Sequence, residues 1–340
     1  MPAFNLAFLG FGTVARALHD LLGRHRVALE REYGITFTVT GVATRRTGWW
    51  ADARGLDPAA PLPSTGVECR DVREWLTATR ADVVFEAIVL DPHAGQPALD
   101  YLRAVLEHGA HAISANKGPV VHGYRELVRL AERVGRCYRF ESAVMDGAPV
   151  FSLVRECLPL AGIRAVRGVF TSTATIVLEA IEEGLSLDDG IARAQRLGIA
   201  EADPSYDVDG WDSAVKLCAI GNILLGGDLR PADVHREGIG ELDEADVRRA
   251  GAAGHPYRLV GDVRRDDQGV LRARVAPMRC ALSDTLAVRG TSLVTHFEAD
   301  MFPGGLTVVS HDPDPTTTAY GMFADLVSVL HTPDAVSVRR

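Results

Sequence analysis

The chain has 340 residues, 47% hydrophobic and 24% charged, a balance that suits a globular enzyme and a length that suits two domains. A net charge of −9 without a basic stripe excludes general nucleic-acid binding, and no apolar run reaches the roughly 18–20 residues of a membrane span. The five cysteines (Cys69, Cys137, Cys157, Cys218 and Cys280) lack CxxC spacing, and the histidines include no HExxH pair. Both features argue against zinc or a disulfide framework and for buried thiols in a reducing compartment.

The opening MPAFNLAFLGFG passes directly into strand-like sequence with no basic leader region, so a cytoplasmic location is expected. After that strand come Gly10-Phe11-Gly12 and then a helical pattern carried by Val14, Leu18, Leu21 and Leu22. Gly10 permits a tight turn, and Gly12 lets the backbone approach a pyrophosphate. Ala15 is small enough for close helix–strand packing. The N–H groups at the helix start, from Thr13 and Val14, complete a dinucleotide site. A GxGxxA string is informative only between a strand and a helix, which is its setting here.

The next strand, ITFTVTGVATRR, ends at Thr44, Arg45 and Arg46. An NAD site usually has an acidic residue at this strand end to hold the ribose hydroxyls. Two arginines suit a 2′-phosphate, so NADP is expected, with NAD as the alternative. The Pro-rich stretch 55–66 reads as a loop. Strands at 81–88, 110–117 and 137–144 alternate with helices at 94–109 and 124–135, which predicts a Rossmann-type, doubly wound parallel sheet. Ligands of such sheets lie beyond the carboxyl ends of the strands, and Lys117, in SANKGP, falls there.

After Gly147 the alternation stops and an α+β second domain is expected. The spacing predicts a strand over 164–173 and helices over 175–184 and 186–198, the latter with Ser186 and Asp189 as a capping box and Gly198 as its C-cap. In GIAEADPSYDVDGWDSAVK, residues 198–216, Glu201, Asp203, Asp207, Asp209 and Asp212 precede a single Lys216. Pro204 and its acidic neighbours keep 201–208 out of a helix. Asp209 can cap the helix that follows, and Asp212 lies in its first turn. Asp212 and Lys216 share a face at i,i+4, and two readings stay open on spacing alone. One is a surface ion pair contributing about 0.3–0.5 kcal/mol. In the other, Lys216 attends a substrate oxygen while the carboxylates attend an ammonium group.

The chain resembles homoserine dehydrogenases over nearly its whole length. The resemblance rests on Gly10-Phe11-Gly12, SANKGP, FESAVMDGAPV, GIAEADPSYDVDGWDSAVK and the late TAYGMFADLV. It implies NAD(P)H-dependent reduction of the small molecule L-aspartate 4-semialdehyde to L-homoserine, in threonine, methionine and isoleucine biosynthesis. It assigns Glu201 and Asp207 to the substrate amino group and Thr173 to the region near its carboxylate. Asp212 and Lys216 go to the reacting oxygen, with Lys216 and Lys117 as the candidate proton donors. It also implies a monovalent cation, usually sodium, held by the Glu141 side chain and the carbonyls of Val144, Asp146 and Ala148. A homodimer formed through the second domain is expected, with no membrane partner. The domains are expected at 1–140 (cofactor), 141–313 (substrate and dimer contacts) and 314–340 (a C-terminal helix packed back on the first domain).

The chain departs from the family pattern at Thr171-Ser172-Thr173-Ala174-Thr175, where an Asn-(Gly/Ser)-Thr-Thr-Asn stretch is usual, and at SHDPDP, 310–315, where glycines are usual. It also ends without the ACT regulatory domain of many members. The altered loop keeps two alternatives in play: an enzyme for another amino-acid semialdehyde or amino alcohol, and a non-catalytic NADP-binding homologue.

Overall fold

The computed structural model describes residues 3–61 and 66–331. Residues 62–65 of the expected proline-rich loop and 332–340 of the expected C-terminal segment lie outside the described residues. Two compact units are present, one running to Gly147 and resuming at Asp314, the other Ala148–Pro313.

In chain order the first unit contains β1 (Ala3–Leu9), α1 (Thr13–Tyr33), β2 (Thr36–Thr44), β3 (Gly48–Ala51), β4 (Val67–Cys69), α2 (Val72–Thr79), β5 (Val83–Glu86), α3 (Ala98–His108), β6 (His111–Ser114), α4 (Lys117–Arg133) and β7 (Tyr138–Arg139). The second contains β8 (Ile163–Val169), α5 (Ser172–Glu182), α6 (Leu187–Arg196), α7 (Ser205–Val208), α8 (Trp211–Leu224), β9 (His235–Arg236), α9 (Glu244–Ala252), β10 (Tyr257–Arg265), β11 (Leu271–Arg279), β12 (Leu293–Ala299) and β13 (Phe302–Ser310). Helix α10 (Pro315–Leu330) returns to the first unit.

The sheet of the first unit has the order β4-β3-β2-β1-β5-β6-β7. From β2 to β7 the neighbours are parallel, as expected of a Rossmann-type sheet, but β3 and β4 add an antiparallel edge. These strands of four and three residues are too short to show a period, which is why the sequence left them unread. The chain turns from β1 to β2 on one side and later places β5 on the other, so the switch point of the sheet lies at the end of β1. Helices α1 and α10 share one core with the sheet: Leu18, Leu22 and Leu29 pack with Ala319, Met322 and Leu326. Hydrogen bonds also hold α10, from the Glu141 N–H to Asp325 Oδ2 at 2.9 Å and from Ser142 Oγ to the Thr318 carbonyl at 2.6 Å.

Boundaries in this unit differ from the sequence reading: it runs to Gly147 rather than 140, α3 begins at Ala98 rather than 94, and two further differences lie near the strand ends. Helix α4 begins at Lys117, not at 124, because Asn116 caps it by accepting from the Gly118 N–H at 3.0 Å. Pro119 then falls in the first turn, where a missing N–H costs no intrahelical bond. The strand expected at 137–144 shortens to β7, because residues 141–143 form a 3-10 turn.

In the second unit the sheet order is β13-β12-β8-β10-β11-β9, antiparallel throughout except that β9 runs parallel to β11. Helices α5 and α8 pack on this sheet. Every residue of α8 from Asp212 to Asn222 is buried, the signature of a core helix. Helix α5 starts at Ser172, with Thr171 at its N-cap, where the sequence suggested 175. Ser186 caps α6 by accepting from the Asp189 N–H, as expected, and Gly198 follows α6 at φ 71°.

The segment expected to stay non-helical contains the single turn α7, since Pro204 takes its N-cap position, outside the hydrogen-bonded turn. Asp209 does not cap α8. It closes α7, and Gly210, at φ 81°, takes the N-cap of α8. Among the described residues no helix is long and apolar enough to cross a membrane.

Candidate active site

A cleft of about 540 Å³ opens in the first unit at the carboxyl ends of β1, β2 and β5. Gly10, Phe11, Gly12 and Arg16 line it from the first turn, Thr44 to Thr47 from the end of β2, and Ala87 to Val89 from the end of β5. Gly10 has φ 87°, and a Cβ there would stand 2.5 Å from the Ala87 carbonyl oxygen, so the turn requires glycine. Gly12 is different. A Cβ on it would meet no protein atom within 4 Å, so its bareness leaves open space on the cleft side of the helix start.

The lining includes Arg16, Arg45 and Arg46 and no carboxylate. The pyrophosphate cradle, the helix N-terminus and the cations all fit a dinucleotide. Of the residues assigned to the cofactor, Gly10, Gly12, Arg45 and Arg46 line the cleft. Thr13 and Val14 do not: Thr13 is exposed as the first residue of α1, and Val14 packs against the core. Lys117 stands at the start of α4 and is not among the lining residues. Arg16 and Thr47 escaped the sequence reading, as neither sits at a motif position.

In the second unit Lys216 and Asp212 are buried together, while Glu201, Asp203 and Asp209 of the acidic segment stay exposed. That lysine is 8% exposed and Asp212 7%, and their charged ends are 2.9 Å apart. The Lys216 ammonium also donates to the Phe170 carbonyl at 2.5 Å. A surface ion pair is therefore not what the structure contains. Two charges have been taken out of water on a core helix, where apolar residues would usually serve stability as well or better.

Asp207 lies close by on α7, and the threonines of the altered loop hold its carboxylate. Thr173 Oγ1 donates to Oδ2 at 2.8 Å and Thr171 Oγ1 to Oδ1 at 3.4 Å. Tyr206 completes the group. Its hydroxyl oxygen is buried with no hydrogen-bond partner among the described residues, and burial, then the Asp212 and Asp207 charges, hold the phenol well above its usual range.

The turn carrying these groups is fastened from β9. The Arg236 guanidinium lies 3.8 Å from the centre of the Trp211 ring and donates to the Asp209 carbonyl, while the Ile239 N–H donates to the Val208 carbonyl at 2.9 Å. The Phe170 carbonyl, Thr171 and Tyr206 were missed in the sequence because main-chain acceptors and isolated hydroxyls carry no pattern.

The other candidates are not gathered here. Glu201 is exposed on the α6–α7 loop, where Gln195 Nε2 holds its carbonyl at 3.1 Å. Among the described residues no side-chain partner of its carboxylate is found. Glu141 is 4% exposed on the 3-10 turn, and Asp146 has a left-handed φ of 48°. Glu141, Val144 and Asp146 belong to the first unit, and Ala148 begins the second. Among the described residues no three His, Cys, Asp or Glu side chains converge on a metal position.

Family models match both halves of the chain: the homoserine dehydrogenase NAD-binding domain over residues 10–141 and the homoserine dehydrogenase model over 149–327. An NAD(+)-dependent homoserine dehydrogenase of Pseudomonas canavaninivorans is 31% identical over 342 aligned positions, covering 97% of each chain. A homoserine dehydrogenase of Methanocaldococcus jannaschii is 28% identical, covering 96% of this chain and 99% of that one. The crystal structure of a putative homoserine dehydrogenase from Archaeoglobus fulgidus superposes with a TM-score of 0.85 at 29% identity, covering 97% of this chain and all of that one. A hyperthermophilic archaeal homoserine dehydrogenase in complex with NADPH gives 0.81 at 25% identity, covering 98% of this chain and 99% of the other. With a two-domain fold that places a dinucleotide cleft on one unit and a buried lysine–carboxylate group on the other, and with matches over both, this chain belongs to the homoserine dehydrogenase family.

Proposed function

We propose that the protein interconverts L-aspartate 4-semialdehyde and L-homoserine, with NADP(H) as its preferred cofactor. The observation that carries the reading is Lys216, buried on a core helix and aimed by a carboxylate and a main-chain carbonyl. A cation held in this way is preorganised for an oxygen that gains negative charge as an aldehyde is reduced, and it needs no reorganisation at that moment.

Gly10, Gly12 and the α1 N-terminus hold the pyrophosphate in this reading, and Arg45 and Arg46 hold a 2′-phosphate. The cofactor supplies the hydride or takes it up. Lys216 hydrogen-bonds the reacting oxygen, Asp212 orients Lys216, and Lys216 or Lys117 delivers the proton that makes the alcohol. Asp207, steadied by Thr171 and Thr173, binds the substrate ammonium group. Glu201 joins it from its exposed loop. Thr173 also acts through Asp207, whose carboxylate it holds.

Among the described residues the cleft lining has no acidic side chain of the kind that accepts from both ribose hydroxyls in an NAD site, which supports NADP over NAD. A monovalent cation on Glu141 and the carbonyls of Val144, Asp146 and Ala148 belongs to the same reading. One buried carboxylate with carbonyl oxygens suits a weakly held, oxygen-ligated ion.

The deciding experiment follows absorbance of the reduced cofactor with purified protein, offering homoserine and aspartate semialdehyde beside other amino alcohols and semialdehydes. Turnover should be fastest with the first pair. A faster rate on another amino alcohol would transfer the assignment to that substrate, in keeping with the altered loop at 171–175. No turnover of any kind would overturn it.

A homodimer is proposed with this function. Among the described residues strand β13 is the edge of the second unit's sheet, and Met301 just before it and Phe302 and Val309 within it expose apolar side chains there. Light scattering should return twice the chain mass at micromolar concentration. A monomer there would remove this part of the proposal.

A further inference from the structure

We propose that Glu86, sealed inside the first unit, is a positioning residue for the reaction: through Asn116 it sets the start of the helix that begins with Lys117, and through the Ile88 N–H it sets a wall of the cofactor cleft. The proposal rests on the reading of that cleft and of Lys117 given under Proposed function.

Glu86 is the last residue of β5 and is 0% exposed. Among the described residues no cation pairs with it, and burial pushes its carboxyl group above the usual range. An acid in such a place is costly unless its oxygens are engaged, and they are. Oε1 accepts from the Ile88 N–H at 2.9 Å and from Asn116 Nδ2 at 3.2 Å, while Oε2 stands 2.5 Å from Ser114 Oγ.

Asn116 has only one orientation that satisfies its surroundings. Its amide nitrogen meets Glu86, its amide oxygen accepts from the Gly118 N–H, and its own N–H donates to Ser114 Oγ at 3.0 Å. One buried carboxyl group therefore joins the ends of β5 and β6 to the first turn of α4.

What hangs on that joint is functional on both sides. Ala87, Ile88 and Val89 line the cleft directly after Glu86, and the Ala87 carbonyl is the atom that Gly10 must clear. Lys117 is the first residue of α4, so a change in the capping geometry moves its backbone. An apolar residue in place of Glu86 would leave the Ile88 N–H and the Asn116 amide unpaired in a dry interior, and both would shift to find partners.

The test compares Glu86→Gln and Glu86→Leu, alone and combined with Lys117→Ala. It uses steady-state kinetics together with fluorescence titration of the reduced cofactor, which needs no turnover. Glutamine keeps the shape, its oxygen can accept both N–H groups and its NH₂ can donate to Ser114, so it should restore parent kcat and cofactor affinity to within about threefold. Glu86→Leu should lower kcat by about tenfold or more and weaken cofactor binding, as misplacement by a fraction of an ångström does. In the Lys117→Ala background the kcat effect of Glu86→Leu should shrink to about twofold or less, because the two changes damage the same element.

A purely structural Glu86 would instead lower the melting temperature and leave kcat and affinity of the folded protein at parent values, and that result overturns the proposal. So do multiplying effects of the two changes, or a glutamine variant as impaired as the leucine one. If Glu86→Leu does not fold, Asn116→Asp replaces it: this keeps the acceptor for Gly118 but sets a carboxylate oxygen against Glu86. The same loss is expected, and parent kinetics overturn the idea. A parent protein that binds cofactor but turns over none of the substrates would refute the functional reading. The cofactor titrations of the two Glu86 variants would still decide the positioning role.

Discussion

Lys216→Ala is expected to lower kcat for homoserine oxidation by about 10²–10³-fold, equivalent to about 2–4 kcal/mol of transition-state stabilisation, with cofactor affinity nearly unchanged. The kinetic part follows from the role proposed for Lys216, whose buried ammonium group, aimed by Asp212 and the Phe170 carbonyl, would meet the charge developing on the reacting oxygen. Cofactor binding should be spared because the residues lining the dinucleotide cleft all lie in the first unit.

Burial of the Lys216–Asp212 pair adds a second consequence. Removing the lysine strands Asp212 at 7% exposure, so a stability loss of about 3–5 kcal/mol is expected whatever Lys216 does in catalysis. Rates must therefore be normalised to the protein that still binds cofactor. The double variant Lys216→Met with Asp212→Leu should recover much of the stability and none of the activity. A folded Lys216→Ala protein with the parent kcat would end the catalytic assignment.

Replacing Arg45 and Arg46 together with neutral residues should raise the KM for NADPH by about 10–100-fold and leave that for NADH within about twofold, since charge-assisted bonds to a phosphate contribute roughly 1.5–3 kcal/mol before solvent screening. Both guanidinium groups are exposed at the cleft, so screening brings the gain below that range, to about 0.7–1.4 kcal/mol per residue. The difference between the two cofactors should also narrow as salt is added, because exposed charges are screened. Equal effects on NADPH and NADH would mean that the arginines attract any dinucleotide and do not read the 2′ position. The relative named as NAD(+)-dependent makes this comparison the informative one.

Much of the candidate site was legible before any coordinates, and the reasons are local. Gly10 declares itself because a turn at φ 87° that clears the Ala87 carbonyl demands glycine, and Gly12 because it follows two residues later between a strand and a helix. Asp212 and Lys216 declare themselves by a four-residue interval on a helix. The alternation of strands and helices up to 144 was enough to imply a parallel sheet, since only crossover helices connect parallel neighbours over that spacing.

The tertiary structure decided what depends on groups remote in sequence. Spacing left Lys216 as either a surface pair or a buried group, and the packing of α8 onto the second sheet settled its burial, because exposure is a property of what lies opposite. The helix starts at Lys117 and Ser172 were read late because a capping side chain and a first-turn proline are weak signals beside hydrophobic period. Thr171 could be read only as a departure from a pattern, and Thr173 only as a residue near the substrate carboxylate, until Asp207 was seen between them, 36 and 34 residues further along the chain. Glu86 gave no signal beyond an acid ending an apolar strand. Its meaning lies in Ser114 and Asn116, which the parallel pairing of β5 with β6 brings alongside it. Backbone conformation and amphipathic period are written in neighbouring residues and survive a reading of the sequence alone, whereas burial, carboxylate partners and main-chain acceptors arise only when distant segments pack.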